Sequence, residues 1–276
     1  MTVLVAVRTG SSAILAADSK LTTQAYVGAN PDGSPRYAPQ TYDHALKIAQ
    51  DLSSTAIAAF AGYANIGVQN AVDYFGRLDA RLHVEPEAQD SRVRELVDGM
   101  VEERRKACEV LKIPFEQASF TVALLAAPPL QGTAPRFWRI LLEGNKGSAM
   151  EVLKNAGTWI EGDAGMTLTL LYGLNDVRVR ALREKLKIDE NTFQKAVEET
   201  VDLAAVNGIN FWTMPVQDAM DFAVFCARVQ VEMDRFLPGL GSCGGPIDLM
   251  TLEMAPKPHV RSFPGKRLHH PDEGLG

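Results

Sequence analysis

The feature of this sequence that most limits its fold is how strand-like and helix-like segments are grouped. Short apolar runs predict strands, and apolar residues at helical spacing predict helices. In chain order these segments are strands at 3–8, 12–18 and 54–62, helices at 68–82 and 93–111, strands over 119–162, helices from 166, and a last strand at 247–254. Grouping of this kind, in place of strict alternation, favours an antiparallel sheet sandwich with helices packed outside it.

Two segments do not fit a single pattern. Residues 24–43 contain three prolines and two glycines, which indicates an elaborated loop or a hairpin. Residues 218–236 fit both the helical and the strand period. The chain has no linker rich in Gly, Ser or charge, so we expect one domain over 1–255 and a partly flexible C-terminal tail over 256–276.

Composition limits which classes of partner and which cellular compartment we expect for this chain. The net charge of −6 argues against nucleic acid or an anionic membrane as the main partner, and no apolar run is long enough to span a bilayer. The N-terminus lacks the basic and apolar regions of a signal peptide. The three cysteines, Cys108, Cys226 and Cys243, are scattered without the spacing of a disulfide framework or a metal site. We therefore expect a cytoplasmic protein.

The start of the chain offers a possible nucleophile. Thr2 follows the initiator methionine directly and precedes the first predicted strand. A hydroxyl is a weak nucleophile unless a base lies beside it, and the α-amine of an N-terminal threonine is one known solution. An α-amine has an ordinary pKa of about 7.7–8.0, close to the best value for a general base at neutral pH. Removal of Met1 would expose that amine, and a small second residue permits such removal.

Three further residues suit this chemistry. A lysine ammonium near Thr2 would favour deprotonation of both the amine and the hydroxyl, and an aspartate would keep that lysine charged and in place. Asp18 ends the second strand, where it should lie beside the start of the first strand if the two form a hairpin. Lys47 follows in a short strand-like segment. The N–H of Gly62, at the end of a buried strand, is a candidate donor to an oxyanion.

These residues resemble a known family. The segments "TVLVAVRTGSSAILAADSKLTT", "HALKI" and "AIAAFAGYANIG" are similar to the proteasome β-subunit and bacterial heat-shock peptidase superfamily of N-terminal nucleophile hydrolases. The resemblance is greatest to bacterial proteasome homologues of ancestral-β or betaproteobacterial type. It covers the first 65 residues or so specifically and is weaker beyond them.

The resemblance assigns roles residue by residue. It implies that Thr2, Asp18, Lys47 and Gly62 are catalytic, that the backbone of Thr22 pairs with a bound peptide, and that Ala45, Phe60 and Ala64 line the pocket for a substrate side chain. It also implies that Asp234 and Ser242 support the Thr2 amine. Asp163 stands where the family has a serine, and we include it as a catalytic candidate.

The resemblance further implies a four-layer αββα sandwich and a threonine peptidase that acts on peptides or unfolded proteins. It implies a homo-oligomeric ring, most simply a double ring, that encloses the active sites. No metal or organic cofactor is expected. The sequence does not indicate whether an ATP-driven unfoldase feeds such a particle.

Other interpretations of the same residues stay open. The chain could instead hydrolyse a small non-peptide amide, or it could be an inactive ring scaffold that retains Met1. Taken singly, Asp18 could be a turn residue and Lys47 an edge-strand lysine that prevents aggregation. Asp163 and Ser242 have ordinary uses at helix starts and turns, and Asp234 could be a solvated helix residue.

Overall fold

The computed structural model of the chain describes residues 2–62, 65–67, 69–112, 114–115, 121–130, 132, 134–172, 176–189, 191–193, 195–196, 208–238, 241–263 and 265. Within these residues, two five-stranded antiparallel sheets form the centre of the fold. The first sheet has the order β12 (Gly157–Gly162), β1 (Val3–Arg8), β2 (Ser12–Asp18), β13 (Ile247–Glu253) and β14 (His259–Phe263). The second has the order β11 (Lys146–Val152), β10 (Arg136–Glu143), β9 (Thr121–Ala127), β6 (Ile57–Gly62) and β5 (Ile48–Gln50).

The remaining elements lie outside the two sheets. A hairpin is formed by β3 (Leu21–Ala29) and β4 (Pro35–Tyr42), and a small ribbon by β7 (Asn65–Ile66) and β8 (Gln69–Asn70). The helices are α1 (Ala71–Gly76), α2 (Pro86–Leu111), α3 (Gly165–Tyr172), α4 (Asp176–Leu186) and α5 (Val216–Asp234).

The alternation of side chains along β1 shows why the two sheets are covered on both faces. Leu4 and Ala6 pack against the second sheet, whereas Val3, Val5 and Val7 pack against α5. Successive side chains of a strand point to opposite faces, so a strand that is buried on both faces is a continuous apolar run. All five of these side chains are fully buried.

The second sheet is covered in the same way on its outer face. Its Phe60 and Ile140 belong to a core cluster with Phe75 of α1 and with Val97 and Met100 of α2. On the other side of the molecule, α3 packs against α5. Helices therefore pack against both of the antiparallel sheets. The predicted mixed fold of antiparallel sheets with helices outside them is confirmed.

The structure corrects the prediction of a helix over 68–82. Helix α1 ends at Gly76, and the chain continues without helix to the start of α2. Leu78 and Leu82 still pack into the core cluster beneath α1 and α2, which is why their spacing resembled a helical stripe. The Leu78 carbonyl accepts a hydrogen bond from the Leu52 N–H, so this segment is held by the loop before β6.

Two other segments are now defined. The ambiguous residues 218–236 lie mostly in α5, whose small buried side chains lie against the first sheet. The prediction that 247–254 is the last strand was wrong, because β14 pairs with β13 and forms the edge of the first sheet. The hairpin predicted as one alternative for 24–43 is confirmed by β3 and β4.

Candidate active site

The first strand pair places Asp18 beside the start of the chain. Strands β1 and β2 pair antiparallel with Leu4 opposite Ala17, so the last residue of β2 lies level with the first residue of β1. The Val3 N–H donates a 3.1 Å hydrogen bond to Oδ1 of Asp18. The hairpin predicted from the sequence therefore brings this carboxylate within one residue of Thr2.

Asp18 forms a buried ion pair with Lys47, which lies just before β5. Lys47 Nζ is 2.9 Å from Oδ1 of Asp18, and the two side chains are 8% and 0% exposed. Burying two charges costs several kcal/mol of solvation unless further hydrogen bonds satisfy them. The other carboxylate oxygen, Oδ2, accepts hydrogen bonds from the N–H groups of Lys20 at 3.2 Å and Gly244 at 2.9 Å. Both oxygens of the carboxylate thus have donors.

Thr2 itself is buried beside this ion pair, with 5% of its surface exposed. Its carbonyl accepts a 2.8 Å hydrogen bond from the Asp163 N–H. Gly162, the residue before Asp163, has a φ of +84°, and a Cβ there would lie 2.0 Å from the Thr2 carbonyl oxygen. Only glycine permits this approach, so the end of β12 fixes the position of Thr2.

A small pocket opens between Thr2 and the end of β6. Its cavity volume is about 30 Å³, which is room for one or two water molecules. It brings together Thr2, Lys47 and Gly62, three of the four residues that the resemblance implies as catalytic. Gly62 has a φ of +86°. The complete lining is Thr2, Leu21, Ala45, Leu46, Lys47, Phe60, Ala61, Gly62, Asn70, Ala71 and Val72.

A second group of polar side chains includes Asp163, whose N–H bonds the Thr2 carbonyl. Ser242 Oγ donates to Oδ2 of Asp163 in a short contact, and it lies 3.3 Å and 3.4 Å from the two carboxylate oxygens of Asp234. The Cys243 N–H donates a 2.7 Å hydrogen bond to Oδ2 of Asp234. Asp234 and Ser242, which the resemblance implies as supports of the Thr2 amine, therefore form one cluster with the catalytic candidate Asp163. Among the described residues neither carboxylate forms an ion pair within 4 Å, although Lys20 is a neighbour of Asp234: a Cβ at Gly241 would lie 2.9 Å from Asp234 Oδ2 and 3.3 Å from Lys20 Nζ.

The predicted substrate-binding residues divide into three groups. Ala45 and Phe60 line the pocket beside Thr2. Thr22 is exposed on β3, where its backbone position is opposite Thr41 of β4, and it is not part of the pocket lining. Ala64 lies outside the described residues, as does Met1.

Several residues of the site were missed in the sequence. Gly162 had a signal, since a glycine at the end of a strand often marks a close backbone approach. Gly244 donates its N–H to Asp18, and its place in a Gly-rich segment gave no sign of this contact. Leu21, Leu46, Asn70 and Val72 carry no local signal, because only the tertiary fold brings them to the pocket.

The thiol beside this cluster is not suited to be the nucleophile. Burial, and next the negative charge of Asp18, raise the pKa of Cys243 to about 12, so the group is a neutral thiol at pH 7. In the part of the chain that the structure describes, no group of His, Cys, Asp and Glu side chains is placed to hold a metal ion. Across the same residues, no helix combines the length and the apolar character needed to cross a membrane.

Comparison with known proteins gives structural matches of low identity. The chain is similar to the Anbu (Gly-1) mutant from Hyphomicrobium sp. strain MC1, with a TM-score of 0.47 and 13% identity over 92% of this chain and 82% of that chain. It is also similar to Anbu (ancestral beta-subunit) from Yersinia bercovieri, with a TM-score of 0.47 and 14% identity over 94% of this chain and 86% of that chain. No family model and no curated protein matches the chain. An activity must therefore be inferred from the geometry of the site.

Proposed function

We propose that the chain is a threonine-type peptidase in which removal of Met1 makes Thr2 the N-terminal nucleophile. In this proposal the layered sheets and helices are the four-layer αββα sandwich of N-terminal nucleophile hydrolases. The observation that carries the proposal is the Asp18 carboxylate, which bonds both the Lys47 ammonium and the backbone N–H of Val3, the residue after Thr2. A buried cation is thereby anchored at the wall of the same pocket as the threonine.

The ion pair gives the threonine what a hydroxyl nucleophile lacks. The Lys47 ammonium is a fixed positive charge that stabilises a developing alkoxide and disfavours protonation of a nearby amine. Asp18 keeps that ammonium charged and prevents it from moving into the solvent. Since Asp18 has donors on both oxygens, it acts as an anchor and not as the base.

The reaction proceeds through a covalent ester. The Thr2 α-amine, through a water molecule, accepts the hydroxyl proton as Oγ forms a bond to the carbonyl carbon of the substrate. The N–H of Gly62 stabilises the oxyanion, and the C–N bond breaks as the proton passes to the leaving amine. Water then attacks the ester, which releases the carboxylic acid product and restores the Thr2 hydroxyl.

The cluster of Asp163, Ser242 and Asp234 is assigned to the α-amine. Ser242 has one hydroxyl proton to share between two carboxylates, so the cluster retains acceptor capacity and negative charge. A free amine at Thr2 would supply donors next to this cluster, since the Asp163 N–H already bonds the Thr2 carbonyl. The cluster therefore orients the amine toward the hydroxyl of its own residue.

The substrate is a peptide or an unfolded protein. An extended peptide would pair with the backbone near Thr22 and would place one side chain in the pocket lined by Ala45 and Phe60. Because apolar side chains form much of the pocket lining, we expect an apolar side chain such as alanine before the cleaved bond. Following the resemblance, we further propose that copies of the chain assemble into a closed ring, and that two rings enclose the active sites.

Peptide hydrolysis by the full chain tests the proposal. The intact mass first shows whether Met1 is absent. A fluorogenic peptide with alanine before the leaving group should then be cleaved by the wild type and left intact by Thr2→Ala. Thr167→Ala is the matched control, because Thr167 is a buried threonine that donates to the Cys226 carbonyl away from the pocket.

Other outcomes identify the alternatives. A retained Met1 with no hydrolysis would indicate the inactive ring scaffold. Processing of Met1 without cleavage of any peptide, but with turnover of a small acyl-amino acid amide, would indicate the non-peptide amide hydrolase. Particle mass in solution, measured by light scattering, tests the ring independently of the chemistry.

A further inference from the structure

Beyond Leu21 and Thr22, the hairpin of β3 and β4 has no part in the proposed function. It covers residues 21–42, and most of its side chains are exposed, including the large side chains of Tyr26 (63%), Tyr37 (56%) and Val27 (49%). A two-stranded ribbon alone is marginally stable in water. An extended ribbon that presents aromatic side chains to solvent therefore suggests a bound partner.

One end of this ribbon is a wall of the active-site pocket. Leu21, the first residue of β3, lines the pocket together with Thr2. A strand rises by about 3.3 Å per residue, so Tyr26 lies roughly 17 Å from Leu21 along the strand. The ribbon thus leads directly from the nucleophile to the exposed tyrosines.

The outer edge of β3 has the groups that a peptide strand needs. Within the described residues, β3 pairs with β4 along one edge only. In an antiparallel pair, alternate residues of an edge strand turn their N–H and C=O groups away from the partner strand. These groups can bind another extended chain, which is the usual way in which a peptide adds to a sheet.

The side chains of the ribbon favour a neutral, apolar partner. Tyr26 lies opposite Tyr37, and their rings are in edge-to-face contact with centroids 6.0 Å apart. Between Leu21 and Tyr42 the ribbon has one acidic residue, Asp32, and one basic residue, Arg36. A peptide strand added to the free edge of β3 would place one of its side chains beside Tyr26, at the distance of a cross-strand neighbour.

We propose that β3 is an extended binding site for polypeptide substrates, in which Tyr26 contacts a substrate residue about five positions from the cleaved bond. This inference rests on the proposed peptidase function and adds a specificity-determining residue to it. Tyr37 is a positioning residue, because its ring contacts that of Tyr26 from the neighbouring strand. The occupant is a substrate and not a second copy of the chain, because β3 is continuous with the pocket that contains Thr2.

The test compares peptides of different length that share one cleaved bond. The probes are a three-residue peptide and two ten-residue peptides, one extended on each side of that bond with neutral residues. We expect one of the long peptides to have a kcat/KM about tenfold higher than that of the short peptide, which corresponds to about 1.4 kcal/mol of added transition-state binding. N-methylation of alternate amides in that long peptide should remove the gain.

Variants of the ribbon test whether it causes the higher kcat/KM of the long peptide. In Tyr26→Ser, the ratio of kcat/KM between long and short peptides should fall to near one. If the single substitution disturbs folding, a second variant takes its place. It removes residues 26–37 and joins Ala25 to Ala38 through Asn-Gly, a favoured two-residue hairpin turn. Phe225→Ser, which changes an exposed aromatic residue on α5, is the control and should keep the wild-type ratio.

The outcomes separate this inference from the proposed function. A wild type that cleaves both lengths equally well, or a Tyr26→Ser variant that keeps the length preference, would overturn the inference and leave the peptidase intact. A particle that dissociates in Tyr26→Ser with an unchanged ratio would overturn it in favour of contact between copies. Failure to cleave any peptide would contradict the proposed function itself.

Discussion

The two groups of carboxylates near Thr2 differ in how completely their oxygens are hydrogen-bonded. Asp18 is fully buried and accepts hydrogen bonds from three backbone N–H groups and the Lys47 ammonium. Asp234 accepts the Cys243 N–H, Asp163 and Asp234 share the hydroxyl of Ser242, and among the described residues neither carboxylate forms an ion pair. The first group is complete within the folded chain, whereas the second can still accept donors.

This difference suggests that the two groups of carboxylates have different roles. A carboxylate with donors on both oxygens fixes the position of its lysine. A carboxylate cluster with spare acceptors can respond to a new positive charge, such as the ammonium that Met1 removal would create beside it. The site is therefore rigid on the Lys47 side and adjustable on the amine side.

The largest expected effect on stability and activity comes from replacing Lys47, on the rigid side of the site. Lys47→Met keeps much of the side-chain volume but leaves the Asp18 charge buried without its cation. Loss of one partner of a buried pair costs about 3–5 kcal/mol, so we expect a clear decrease in the free energy of unfolding together with loss of peptide hydrolysis. Urea unfolding and a peptidase assay measure the two effects.

A matched lysine tests whether this effect belongs to the buried pair. Lys106→Met removes the partner of Glu103 from an exposed ion pair on α2. Such surface pairs add little to stability, so this variant should unfold at nearly the wild-type urea concentration. Equal destabilisation by the two substitutions would contradict the role given to Lys47.

The second largest effect is expected from a substitution at Gly162, at the end of β12, where the backbone contacts Thr2. In Gly162→Ala the added Cβ would meet the Thr2 carbonyl, and alanine at a positive φ adds a strain of about 1–2 kcal/mol. Thr2 must then move, so we expect both a lower melting temperature and at least a tenfold loss of kcat/KM.

Gly165→Ala is the control for that substitution. A Cβ at Gly165, three residues further on, would meet no heavy atom within 4 Å. We expect this variant to keep wild-type stability and activity. If Gly162→Ala behaves in the same way, the end of β12 does not fix the position of Thr2.

A smaller effect is expected on the adjustable side. The Asp163 carboxylate should stabilise the protonated α-amine, and the amine acts as a base only when it is neutral. Asp163→Asn removes that charge, so the pKa of the amine should fall and the acid limb of kcat/KM should move about one pH unit lower. A pH–rate profile measures the shift, with the exposed Asp218→Asn as control. An unchanged acid limb would remove Asp163 from the amine site.

The smallest expected effect is on Cys243. Because its pKa is raised to about 12, the thiol should react very slowly with iodoacetamide at pH 7.5, and treatment of the native protein should leave peptide hydrolysis unchanged. Mass spectrometry of the treated protein measures the alkylation. Rapid alkylation of Cys243 with parallel loss of activity would favour a thiol nucleophile over Thr2.

The sequence predicted the parts of this molecule that depend on local pattern. Strand β1 is buried on both faces and β2 follows it after a short turn, so the hairpin that places Asp18 beside Val3 follows from apolar runs and a turn signal. Helix α1 was predicted too long because Leu78 and Leu82 are core residues at helical spacing in a segment without helix. Strand β14 has the polar sequence "HVRSF", and only its pairing with β13 makes it a strand.

The candidate site likewise could be predicted only in part from the sequence. The sequence resemblance named Thr2, Asp18, Lys47 and Gly62, and the structure brings the first three into one buried group with Gly62 at the same pocket. Leu46 and Val72 come to the pocket from segments with no site-like pattern, because their positions depend on how the loop before β5 and helix α1 pack. The carboxylate of Asp163 stands where the resemblance led us to expect a serine.

The central claim is that Thr2, and no other side chain, is the nucleophile. The most direct measurement is tandem mass spectrometry of the full chain after treatment with a peptide β-lactone. We expect a chain without Met1 that carries one adduct on the Thr2 residue, and no adduct in Lys47→Met. An adduct on Cys243 or on another residue, or a chain that retains Met1 and is still active, would contradict the claim.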